Sequence, residues 1–287
     1  MNFVKLIEES NRSPHAKSVT AAFLGDSITQ GVFELVRSKD KDKVFDCVYD
    51  YESVYHNLFK QKLNVLYPCA RINIINAGNN GTDAACGYNR LKRDVLDYSP
   101  DLVVVCFGTN DCIAGEEGLD AYAENLQKIF KELKKENIET IFLTPNFMAE
   151  RIAPEIYDIP GLLESAEVIV KAQLDGISDL YFDRAKEVCK QNDVVVCDCR
   201  AKWHEMKANG IDTFVDYEES DFMFEMLSED DGSDPEEWKE RMKLLDSYQE
   251  GKIRRLLKRV ESKSYYKNLP KALDTYEPQN GFEQPLV

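Results

Sequence analysis

The chain has 287 residues, 43% hydrophobic and 31% charged, which is enough apolar material for a large packed α/β domain and excludes wholesale disorder. Its formal net charge of −16 argues against a nucleic-acid partner, because a phosphate backbone calls for a basic face. No apolar run approaches the ~20 residues of a membrane helix, so no membrane insertion is expected.

The first residues, MNFVKLIEESNRSPHAK, lack an apolar core followed by a small-residue cleavage site, and no signal peptide is read there. The eight cysteines form no Cys-x-x-Cys pair and read as reduced thiols, which makes the cytoplasm the expected compartment.

In chain order, Ser18–Leu24 (SVTAAFL) reads as a first strand, followed by a charged surface excursion over residues 34–50. A crossover helix is expected over Ser53–Leu66, a strand over Arg71–Asn76 and a helix over Ala84–Leu96. Asp101–Phe107 (DLVVVCF) reads as the third strand, Gly118–Lys135 as a helix and Glu139–Thr144 as the fourth strand. A single helix over Lys171–Gln191 and a fifth strand over Asp193–Asp198 follow. Near-continuous apolar runs of this kind suit strands covered on both faces. Their alternation with helices predicts a doubly wound, parallel five-stranded α/β sheet of flavodoxin-like type, with helices on both faces. Beyond it, a helical C-terminal extension is expected to begin at Pro235. The domain reading is a core over 1–213, an acidic loop and helix over 214–265, and an irregular tail over 266–287.

Three short motifs follow the first three strands, where open α/β sheets bind their ligands. GDSITQG (Gly25–Gly31) lifts Ser27 at the start of a helix, where free N–H groups favour an oxyanion. NAGNNGTD (Asn76–Asp83) brings Gly78, which can present a backbone N–H to a ligand. FGTND (Phe107–Asp111) brings Asn110, whose carboxamide can donate to developing negative charge. Taken singly, each also reads as an ordinary cap or βα turn.

Together the motifs resemble blocks I, II and III of the GDSL/SGNH serine hydrolases, over about residues 18–200. The resemblance implies a serine esterase, with no metal and no cofactor, that acts through an acyl-enzyme on Ser27. It also implies an oxyanion hole from the Ser27 and Gly78 N–H groups and the Asn110 side chain. The substrate would be a carboxylic ester of a small molecule: a small acyl ester, a lysophospholipid or an acetylated carbohydrate.

The family's last block, Asp-x-x-His, is not matched. The only histidines are His15, His56 and His204, and position 201, three before His204, is Ala201. The best frame is DDGSDPEEW, with Asp231 in the orienting place and Asp234 in the histidine's place. An aspartate with a pKa near 4 is a poor base for a serine hydroxyl at neutral pH. Losing a triad base costs about 10^4- to 10^6-fold in kcat. His204 is the alternative base downstream of the third block. The rival expectation is a catalytically impaired binding protein on the same fold.

Overall fold

A computed structural model describes residues 2–37, 45–146 and 160–209, all within a compact unit bounded by Met1 and Val215. Asp231 and Asp234, the C-terminal helix and the tail lie outside the described residues.

Five strands form a parallel sheet in the order β4-β1-β5-β6-β7: β1 (Val19–Gly25), β4 (Ile72–Gly78), β5 (Leu102–Cys106), β6 (Glu139–Leu143) and β7 (Val195–Cys197). This is the flavodoxin-like order expected from the alternation of runs, with the direction of winding reversing between β1 and β5.

Side chains alternate between two cores, as a two-residue period requires. Ala22 and Leu24 of β1, with Val103 and Val105 of β5, face a core closed by α4 (Ala84–Asp94), α5 (Leu119–Lys135) and α7 (Ile177–Asn192). Ala21, Phe23, Leu102 and Val104 face the opposite core, under α1 (Asn2–Arg12) and α3 (Tyr55–Leu66). Both faces are covered, which explains why the strands read as unbroken apolar runs.

Four features differ from the sequence reading. The segment read only for a signal peptide is the helix α1, whose Phe3 and Ile7 are buried; Phe3 stacks on Phe59 with ring centroids 6.4 Å apart. The surface excursion is framed by an antiparallel pair, β2 (Val32–Arg37) and β3 (Phe45–Tyr49). The single helix over 171–191 is two, α6 (Pro160–Leu174) and α7, separated at Gly176, whose φ of +77° suits glycine and ends the first helix. The stretch containing His204 is a full helix, α8 (Cys199–Ala208). Among the described residues no helix is long and apolar enough to cross a membrane.

Because α1 is attached to the sheet mainly by its buried stripe, Phe3→Ala is expected to lower the unfolding free energy by about 3 kcal/mol. Urea titration of both chains checks this. A loss under about 0.5 kcal/mol, the range of a surface substitution, would mean that α1 is not docked in solution.

Candidate active site

The three motifs meet at one end of three adjacent strands. In the parallel register Gly25 lies beside both Gly78 and Cys106. Ser27 stands two residues beyond the end of β1, Gly78 ends β4, and Asn110 stands four residues beyond β5. All three are partly exposed.

Ser27 opens α2 (Ser27–Gln30), a single helical turn. Asp26 caps it, its Oδ1 accepting the Ile28 N–H at 3.0 Å, and Gly31 ends it in the left-handed region at φ +101°. Four residues build little macrodipole, so the uncapped first-turn N–H groups matter here more than a helix dipole does.

The turn lies directly on the end of β4. A Cβ at Gly78 would fall 2.1 Å from the Gln30 nitrogen, so only a residue without a side chain lets α2 settle there. Two further contacts fix the turn from behind. The Thr29 hydroxyl is 2.9 Å from the Tyr55 hydroxyl, and His56 Nε2 donates to the Thr29 carbonyl at 3.1 Å. A carbonyl only accepts, so this nitrogen carries the imidazole proton. Burial lowers the His56 pKa, which keeps the ring neutral. His56 is therefore a prop for α2 rather than a base facing Ser27.

The proposed donors are not equivalent. Asn110 Nδ2 donates to the Thr82 carbonyl at 2.9 Å, which uses one of its two N–H bonds and leaves one. The Gly78 N–H donates to Oδ1 of the exposed Asn76 at 3.0 Å. An oxyanion at Gly78 has to displace that side chain or share the hydrogen.

Arg90 was not singled out from the sequence. It lies on the inner stripe of α4 with Ala84, Gly87 and Leu91, and is only 8% exposed. Its guanidinium donates to the Gly25 carbonyl at 2.6 Å and the Ala77 carbonyl at 2.5 Å, and pairs with Asp94 at 3.2 Å. The available signal was a cation at helical spacing among apolar and small residues, which a buried stripe rarely tolerates without partners.

Two carboxyls lie beneath the site. Asp26 is fully buried, and its pKa is pushed up to about 7, first by burial and further by the charge of Asp111. Asp111 is raised to about 6, chiefly by burial; its Oδ1 accepts the Ala84 N–H at 3.0 Å. Oδ2 of each is buried without a hydrogen-bond partner.

His204 lies on α8. Its Nε2 lies 3.6 Å from Asp179 Oδ1, an oxygen that also accepts from Arg200 Nε at 2.9 Å. Among the described residues no group of histidine, cysteine and acidic side chains could hold a metal ion.

Residues 23–222 match the model of the GDSL-like lipase/acylhydrolase family. The chain belongs to this family. Its members hydrolyse esters, and the strand-end motifs are those that mark them. The chain is similar to the Bacillus subtilis (strain 168) lipoprotein YqeF, 28% identical over 159 residues that cover 53% of this chain. It spans 64% of the length of that relative. Among solved structures it is similar to a lipase/acylhydrolase from Enterococcus faecalis, at 23% identity and a TM-score of 0.49 over 69% of this chain and 83% of the other. It is also similar to a catalytic mutant of an acetylxylan esterase from Geobacillus stearothermophilus, at 20% identity and a TM-score of 0.47 over the same shares.

A carboxyl whose pKa is higher in the folded chain than its ordinary 3.8 holds its proton more tightly when folded. The stability this gives is fully present below pH ~4 and is lost as pH rises through about 6 to 7. Asp26→Asn retains an acceptor for the Ile28 N–H and cannot ionise. Relative to the native chain, its stability should rise between pH ~4 and ~8, by an amount on the order of a few kcal/mol. Urea midpoints measured across that range check it. If the two curves run parallel, the burial of charge at Asp26 is not what the fold contends with.

Proposed function

We propose that the chain is a serine esterase that cleaves a carboxylic ester of a small acyl group through an acyl-enzyme on Ser27. The observation that supports it most directly is the convergence of Ser27, Gly78 and Asn110 on neighbouring strand ends. Ser27 Oγ attacks the ester carbonyl carbon and passes its proton to a base. The carbonyl oxygen becomes an oxyanion facing the Ser27 N–H, the Gly78 N–H once Asn76 yields it, and the second N–H of Asn110. Collapse expels the alcohol, which takes up the proton, and water then releases the acid by the same steps.

A second reading, a binding protein with impaired catalysis, is favoured by the positions of the histidines. His56 is committed to the Thr29 carbonyl, His204 lies against Asp179, and His15 is an exposed residue before β1. The histidine's place in the last block is then taken by Asp234, with Asp231 as the orienting residue.

Hydrolysis of p-nitrophenyl acetate separates the two. For the esterase, Ser27→Ala removes activity, and a fluorophosphonate labels the native chain at Ser27. For the impaired protein, native activity is close to background and Asp234→His raises it in a manner that depends on Ser27. The gain could reach about 10^3-fold or more, given what a triad base contributes. Activity retained in Ser27→Ala would refute the mechanism.

A further inference from the structure

We propose that Cys197 and Cys199 form a redox site, a dithiol that a small-molecule disulfide such as oxidised glutathione converts into an internal disulfide. The proposal goes beyond the esterase reading and does not depend on it. Cys197 is the last residue of β7 and Cys199 the first of α8, with Asp198 alone between them. Side chains two residues apart on an extended chain fall on the same side. Here the two thiols share a hydrogen bond, so the sulfurs already face each other across Asp198. Cys197 is exposed and Cys199 half-buried.

The backbone holds them in this arrangement. The Thr144 N–H donates to the Cys197 carbonyl at 3.1 Å, which fixes that residue to the end of β6. The Thr144 hydroxyl donates to Asp198 Oδ1 at 3.2 Å and accepts the Arg200 N–H at 2.9 Å. Asp198 Oδ1 also accepts the Ala201 N–H at 3.0 Å, the contact of a helix cap, and its Oδ2 pairs with Lys186 at 2.8 Å. Residues before, between and after the two sulfurs are thus tied to the buried Thr144. Closure is left to rotation of the two cysteine side chains. The pair lies at the carboxyl end of the parallel sheet, the end that carries the Ser27 turn.

Unequal exposure sets the order of events. Burial, and then the neighbouring Cys197 sulfur, pushes the Cys199 thiol up, so Cys199 keeps its proton while the exposed Cys197 meets the oxidant. Cys197 loses its proton to solvent, and its sulfur attacks one sulfur of the small disulfide. A mixed disulfide forms and one small thiolate leaves and is protonated. Cys199 then gives its proton to water, and its sulfur attacks the Cys197 sulfur and expels the second small thiolate. Two protein thiols are oxidised and one small disulfide is reduced to two thiols. A ring closed over three residues removes little chain entropy, so it adds little stability and is readily reduced.

Lys190 and Arg200 flank the pair, so trypsin places both cysteines on one peptide, residues 191–200. The folded full-length chain is incubated with excess oxidised glutathione, blocked with iodoacetamide, digested and weighed. That peptide should lose the mass of two hydrogens, take up no iodoacetamide, and regain both alkylation sites after dithiothreitol. Cys199→Ser should stop at a glutathione adduct on Cys197. Cys197→Ser should take up glutathione at Cys199 about tenfold more slowly or less readily still. Circular dichroism confirms that both variants are folded. A native peptide that keeps two free thiols, or that ends as a stable glutathione adduct, overturns the proposal. So does a pair that closes only after unfolding in urea, or that bridges to a different peptide.

Discussion

The site depends on one buried guanidinium. β1 and β4 end side by side at Gly25 and Gly78, with the carbonyls of Gly25 and Ala77 facing α4. Arg90 reaches both from α4 and has Asp94 as its counter-ion. Burying a cation is costly, and here charge-assisted bonds engage both terminal nitrogens, while the buried Nε has no partner. A neutral residue at this position would lose both charge-assisted bonds and leave Asp94 without this counter-ion. The position of Ser27 follows from this contact. Asn79 also donates to the Gly25 carbonyl, and α2 rests on the bare backbone of Gly78. The Ser27 turn is thus fixed to two strand ends that are themselves fixed to a helix.

The same compactness creates an electrostatic conflict. Asp26 is needed as the cap of α2, and Asp111 joins the end of β5 to the start of α4. Both carboxyls lie in a poorly hydrated region and each raises the free energy of the other's charge. Ionised together, they would put two negative charges beneath a site where, on the esterase reading, a third would develop. At neutral pH Asp26, at about 7, keeps its proton part of the time while Asp111, at about 6, is mostly ionised, so the repulsion is only partly relieved; a neutral carboxyl can still accept from a backbone N–H. The acids serve the fold through their oxygens, and burial removes part of their charge.

Much of this was legible in the sequence, for identifiable reasons. Strands covered on both faces must be apolar throughout, so VVVC or INII leaves little ambiguity, and the sheet order follows from short right-handed crossovers. The three motifs were legible because each needs a particular residue type at a strand end. What escaped was carried by contacts rather than patterns. Phe3, Leu6 and Ile7 have helical spacing, but in a segment otherwise rich in polar residues. The hairpin's strands flank a Lys- and Asp-rich tract that masks them. Gly176 sits within an otherwise helical stretch, and only its left-handed backbone shows that the helix stops there. Arg90 resembled any helix cation until its two carbonyl partners were in view.

The structure also separates what builds the nucleophile turn from what would activate it. Tyr55, His56 and Gly78 hold α2 through its backbone and its Thr29 side chain, Arg90 ties down the strand ends before it, and none of these contacts uses the Ser27 hydroxyl. A family member that lost its histidine would therefore lose no support for this turn, because no described histidine that supports it is the base. Oxyanion stabilisation and substrate binding alone leave serine hydrolases about 10^3- to 10^4-fold above water. An esterase and its impaired relative would accordingly share this architecture down to the hydrogen bonds and differ in rate. On the esterase reading, the fold would place the serine and its donors, while the residue that accepts the proton would decide how fast they are used.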